Sequence, residues 1–236
     1  MDANAVASAI PEPIARCATG HITGHIAMSG QRSKAATCSI NTIVFDIGWV
    51  LVHLAPQRLL ETLRASGADV ESLRDVTSRI ALTEHESGRL DGEGLLSELQ
   101  RLAPQPIARE ALALAWMDMF EPQEGMLQLI DQLRLSHRVF LLSNIGDLHW
   151  GALRQRWALH ERADDVITSF EAGVMKPDAG IYDIAEVRCR LIPQETVFID
   201  DLPQNIAAAG ARGWQGIVHE SEHATREALT GLGLFN

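Results

Sequence analysis

The chain is short of what would build a disulfide scaffold, a zinc knuckle or a membrane span. Its 236 residues include three cysteines, Cys17, Cys38 and Cys189, an odd number, far apart and in no CxxC pair. Disulfide and zinc frameworks need paired or closely spaced thiols, so neither is expected and a reducing cytoplasm is the expected setting. No run of about eighteen apolar residues occurs, so no membrane-spanning helix is expected. Positive charge is scarce as well: 20 Lys and Arg against 31 Asp and Glu leave a formal net charge of −11. Such a surface repels the phosphates of nucleic acids and anionic membranes, and neither is an expected partner; a local positive pocket stays compatible with it. What is present is ordinary globular composition, 46% hydrophobic and 22% charged. The length suits one domain, or one domain carrying an insertion.

Residues 1–40 are rich in Ala, Ser, Thr and Gly and carry no sustained period. Pro11, Glu12 and Pro13 interrupt what a secretory signal would need as an apolar run, so the stretch reads as a flexible leader, or as sequence upstream of a natural start such as Met28. His21 and His25 have the i, i+4 spacing of a helical metal pair, but Gly20 and Gly24 disfavour the helix. Ordered sequence begins at Thr42-Ile-Val-Phe-Asp46, a buried-strand pattern closed by Gly48. From Pro56 to Phe120 the apolar spacing turns helical, and Gly67, the Gly88–Gly92 region and Pro104 with Pro106 divide it into about four helices. Strand and helix then alternate. The strands are Arg138–Leu142, Val166–Thr168, Thr196–Asp200 and a last one near Trp214–Val218; the helices lie near Leu127–Leu135, Trp150–Leu159, Ile181–Arg190 and Ile206–Ala211. This is the order of a doubly wound parallel α/β sheet with a helical insertion after its first strand. The division expected is a leader over 1–40, a core over 41–54 and 121–236, and a helical cap over 55–120.

In open parallel sheets, ligands sit beyond the carboxyl ends of the strands. Those ends carry Asp46, then Ser143-Asn144, then Asp200-Asp201. A lone Asp after a strand is commonly a helix cap or turn residue, and Ser-Asn is commonly a turn. Two adjacent carboxylates are different, because capping of the following helix accounts for one and leaves the other to repel unless a cation is near. Lys176, held extended by Pro177, lies between two of these motifs and offers one cation. The set predicts a site that binds a metal and handles an anion.

The stretches IVFDIGWVLVHL, FLLSNIGDLHW, EAGVMKPDAGIYDIA and VFIDDLPQNIAAAGARGW, in that order, resemble the motifs of the haloacid dehalogenase (HAD) superfamily. EHESGRLDGEGLLSEL, with the GVMKPDAGIY and DDLPQN segments, is most similar to the capped subgroup that holds sugar-1-phosphate phosphatases and the amino-terminal domain of soluble epoxide hydrolases. The resemblance implies a Rossmann-like HAD core with a helical cap and a Mg²⁺-dependent phosphatase that forms an aspartyl phosphate. Its substrate would be a small phosphorylated metabolite, plausibly a sugar phosphate. It also implies roles: Asp46 as nucleophile, with Lys176 offsetting charge; Ser143, Asn144 and Lys176 on the phosphate; and Asp46, the Gly48 carbonyl, Asp200 and Asp201 around Mg²⁺. Asn205 is either a tether for the Asp-Asp loop or a plain surface residue.

One position departs from the pattern. Active relatives commonly carry a second Asp two residues after the nucleophile, as acid and then base, and this chain has Gly48. His53, His149 and the trio Glu84-His85-Glu86 are the nearest substitutes, and Trp49 is a candidate pocket wall. Two alternatives stand beside the phosphatase. One is a 2-haloacid dehalogenase, which needs no metal and would gain little from paired acids. The other is a catalytically impaired HAD-like protein that keeps phosphate binding only.

Overall fold

Residues 39–235 are described in a computed structural model. The expectations for the leader, for His21 and His25, and for Cys17 and Cys38 lie outside the described residues. Strand β1 (Thr42–Phe45) is wholly buried and hydrogen-bonds on both sides, to β4 (Arg138–Ser143) and β6 (Thr196–Asp200). The outer strands are β5 (Asp165–Thr168) and β7 (Gln215–Val218), in the order β5-β4-β1-β6-β7 with every pair parallel. A strand buried on both faces needs apolar side chains in both directions, which explains the unbroken TIVF run. Alternate residues serve opposite layers. Ile43 and Phe45 join the core beneath α6 (Glu124–Leu133) and α7 (Asp147–Trp157). Val44 faces the other side, toward α9 (Ala179–Cys189) and α10 (Pro203–Gly210), where Tyr182 and Phe198 meet edge to face at 6.1 Å. The sheet is therefore doubly wound.

Between β1 and α6 the chain builds a third hydrophobic cluster from five helices: α1 (Gln57–Ala65), α2 (Leu73–Ser78), α3 (Leu82–Glu86), α4 (Gly92–Arg101) and α5 (Arg109–Met117). Leu59 with Leu63, Leu95 with Leu99, and Leu112 with Trp116 recur at the i, i+4 spacing that turns one helix face inward. The sequence pattern suggested about four helices. The fifth arises because Ser72 caps α2 (Asp75 N–H to Ser72 Oγ, 3.2 Å) and Gly67 at φ 82° ends α1, while α3 is a separate five-residue turn. Two three-residue strands, β2 (Val52–Leu54) and β3 (Phe120–Pro122), pair antiparallel where the chain enters and leaves this block. Neither is visible as a period, and Pro122 argues against a strand. Two helices were also unanticipated. α8 (Ser169–Ala172) is a single turn after β5, and α11 (Glu222–Gly231), capped by Ser221, covers what reads as a tail.

The helical block is tied to the sheet by specific bonds. His149 Nε2 meets the Trp116 carbonyl at 3.0 Å, the Gly92 N–H donates to Asp147 at 3.1 Å, and the Ser169 hydroxyl donates to the Glu86 carbonyl. No helix among the described residues is long and apolar enough to cross a membrane.

Candidate active site

The order β4-β1-β6 sets three strand ends side by side, and the chemistry collects there. Asp46 follows the last residue of β1; its N–H donates to Ile199 O at 2.9 Å, and its Oδ1 accepts from the Ile47 N–H at 2.6 Å. The chain then folds back in a tight loop, where Trp49 N–H bonds Val52 O at 2.7 Å and Trp49 has φ 58°. A left-handed tryptophan costs on the order of 1–3 kcal/mol, which the surrounding bonds must hold, including Gln123 Nε2 to Trp49 O at 2.8 Å.

Lys176 is the hub. Its Nζ lies 2.9 Å from Asp46 Oδ1 and 2.6 Å from Asp200 Oδ2, and its side chain is 1% exposed. Asn144 fixes the lysine backbone from both directions, Nδ2 to Lys176 O at 2.9 Å and Lys176 N–H to Oδ1 at 2.8 Å. The Asn144 amide is thereby engaged with the chain rather than turned to a ligand. Asn205 Nδ2 donates to both oxygens of Asp200, at 2.9 and 3.0 Å, and the Leu202 N–H adds a third bond at 2.9 Å. Of the two readings of Asn205, tether and surface residue, the geometry selects the tether, and Tyr182 OH holds its carbonyl at 3.0 Å. Ser143 ends β4, buried, and joins the same cavity wall.

Oxygens of Asp46, Asp200 and Asp201 lie within 4.8 Å of one another. One ammonium faces three carboxylates. Burial pushes the Asp46 carboxyl up to about 6, Lys176 pulling it down and Asp200 adding to the rise. Asp201 is also raised, by burial and then by Asp200. Clustered acids that resist ionisation fit a hard divalent cation, whose charge would restore it. The Gly48 residue is at the same cavity, with its backbone outside the left-handed region and nothing within 4 Å of where a Cβ would stand.

The cavity above the carboxylates has a volume of about 370 Å³ and runs from the strand ends to the helical block. It separates the five candidate substitutes for an acid at position 48. His53 faces a neighbouring recess with His219. Glu84 is exposed, and His85 is buried with Nδ1 on Leu90 O at 3.0 Å. His149 borders the cavity but lies flat on Trp116, ring centroids 4.5 Å apart, and burial lowers it to about 3, so it is neutral near pH 7. Glu86 borders the cavity and is pushed up to about 7 by burial and then by Asp46. The apolar part of the wall, from Leu73, Leu82 and Met119, went unrecognised, because helical spacing marks such residues as core without saying which of them border a cavity.

Comparison with known proteins agrees with this geometry. The haloacid dehalogenase-like hydrolase family matches residues 40–213. A D-ribitol-5-phosphate phosphatase of Bacteroides thetaiotaomicron is 28% identical over 200 residues, covering 81% of this chain and 97% of that one. A HAD family enzyme of the same organism, solved with magnesium and inorganic phosphate, superposes with a TM-score of 0.70 at 21% identity, covering 77% of this chain and 95% of that one. A HAD-like hydrolase of Porphyromonas gingivalis gives 0.67 at 28% identity, covering 82% and 97%. The chain belongs to the haloacid dehalogenase-like hydrolase family.

Proposed function

We propose that the protein is a Mg²⁺-dependent phosphatase of small phosphorylated metabolites, working through an aspartyl phosphate on Asp46, with the helical block 55–120 as a cap over the site. The observation that carries this is the buried Asp46–Lys176–Asp200 array, with Asp201 beside it and a cavity above. Among the described residues, both hydrogen bonds to the Asp46 side chain fall on Oδ1, so Oδ2 is the oxygen for attack on phosphorus. As that bond forms, the bond from phosphorus to the alcohol oxygen breaks, and Glu86 gives its proton to the departing oxygen. Water then attacks the aspartyl phosphate and returns a proton to Glu86, releasing phosphate and restoring Asp46. Ser143 binds the phosphate, Lys176 holds its charge close to Asp46, and Asn144 positions that lysine. Asp46, the Gly48 carbonyl, Asp200 and Asp201 would hold Mg²⁺, which supplies charge neutralisation at the phosphoryl oxygens when bound.

The substrate of the Bacteroides relative, a phosphorylated sugar alcohol, supports including sugar and polyol phosphates in an assay panel. The carboxylate cluster speaks against a metal-free dehalogenase, and a carboxyl in the cavity speaks against a protein that only binds phosphate. Purified protein assayed across phosphomonoesters with Mg²⁺ is expected to release phosphate and to stop on EDTA, while Asp46→Asn is folded and inactive. Dehalogenation that survives EDTA, or unchanged phosphatase activity in Asp46→Asn, would overturn the proposal.

A further inference from the structure

The cavity is polar at its floor and apolar above it. Away from the carboxylates its wall is made by Leu54 of β2, Leu73 of α2, Leu82 of α3, Trp116 of α5, Met119, and Phe120 of β3. The polar side chains in that upper part are few, and most are engaged. Thr77 donates its hydroxyl to Arg74 O at 3.2 Å, His149 spends Nε2 on the Trp116 carbonyl, and the Trp116 indole Nε1, which has no hydrogen-bond partner, is itself closed off by burial. Glu86 has the proton-transfer role above. A phosphorylated sugar or polyol brings several hydroxyls, each of which must leave water, and this wall offers them almost no partners. A buried hydroxyl without a partner is penalised, and an apolar pocket rejects one added hydroxyl by up to about 100-fold. An apolar group of ring size gains on the same wall what the polyol loses.

We propose that the pocket selects phosphomonoesters of compact apolar alcohols, benzylic or branched-alkyl, over phosphorylated sugars and polyols. This deepens the phosphatase reading and rests on it. The upper cavity belongs to the helical block, so selectivity sits on the part of the chain that also carries Glu86, apart from the carboxylates and Lys176 at the strand ends.

The test compares benzyl phosphate with ribitol 5-phosphate, both esters of primary alcohols, so that leaving-group acidity plays a small part. With Mg²⁺ and the full chain, kcat/KM for benzyl phosphate is expected to exceed that for ribitol 5-phosphate by at least about tenfold, mostly through KM. Leu82→Gln, on the half-buried part of the wall, is expected to shrink that ratio several-fold. Equal or better use of ribitol 5-phosphate, or an unchanged ratio in Leu82→Gln, overturns the inference while leaving the phosphatase reading intact. Hydrolysis of neither ester, nor of any other phosphomonoester in the panel, overturns the phosphatase reading instead. Calorimetry on Asp46→Asn with Mg²⁺ then still tests the pocket: benzyl phosphate is expected to bind at least about tenfold more tightly than ribitol 5-phosphate, and equal binding overturns the selectivity.

Discussion

Glu86 reaches the cavity from α3, and Gly48, two residues past Asp46, presents no side chain to it. In the proposed mechanism the proton for the leaving oxygen comes across the cavity instead of from the loop after Asp46. Positioned acid catalysis is worth about 10²–10⁴-fold, and it matters most when the alcohol is a poor leaving group. Glu86→Gln is expected to lose a factor in that range on alkyl phosphates and much less on p-nitrophenyl phosphate. The working form of Glu86 is protonated, so wild-type kcat on alkyl esters should fall as pH rises past about 7, and the glutamine variant should lack that limb. Because position 48 has room for a side chain and an ordinary backbone angle, adding Gly48→Asp to Glu86→Gln should recover part of the loss. Equal losses on both ester types would refute the acid role. Asp46, Ser143, Lys176 and Asp200 were legible in the sequence because each closes a strand or stands beside a proline. Glu86 was one of five polar residues, and only their placement around the folded cavity separated them. The Asn144 side chain is taken up by the Lys176 peptide, a pairing across 32 positions that no local pattern reveals.

At the level of elements, the joint between helical block and sheet turns on one glycine. Gly88 follows α3 with φ 73°, and a Cβ there would stand 2.2 Å from the Phe170 carbonyl of α8. An alanine must bear the left-handed backbone and push that carbonyl away, together on the order of 1–3 kcal/mol or more. Gly88→Ala is expected to lower Tm by roughly 3–10 °C and to lower kcat/KM as well, because α3 carries Glu86. Gly151→Ala is the control: it sits inside α7 with open space around it and should keep kcat/KM and hold or slightly raise Tm. A thermal midpoint as high in Gly88→Ala as in the control would sink the idea. The long elements were readable, β1, β4 and β6 as apolar runs and α1, α4 and α5 from their i, i+4 leucines and alanines. β2 and β3 were not, since three residues give no period. α11 was not either, because Thr225 and Leu229 are its fully buried residues and two such positions make a faint stripe.

Over the whole molecule, sequence order and spatial order diverge. The motifs at 46, 143 and 200 come together because β1 lies between β4 and β6, and that neighbour order is a property of the folded sheet. Alternation of strand and helix implies parallel strands; it does not say which strands touch. The acidic total of −11 and the single buried ammonium in the site belong to the same economy of positive charge.

That scarcity makes Lys176 a reporter. The chain has two lysines, Lys34 and Lys176, and every other basic side chain counted with them is an arginine. Among the described residues, then, the one lysine amine is shut between two carboxylates and 1% exposed. A short pulse of an amine-acylating reagent should leave the Lys176 peptide unmodified in the native protein, and its acylation should climb in step with denaturant unfolding when peptides are weighed by mass spectrometry. Ready acylation of Lys176 under native conditions would mean that the floor of the cavity opens far more often than its packing suggests. An amine-acylating reagent would for the same reason spare the floor of the cavity, so the protein treated under native conditions should keep its activity.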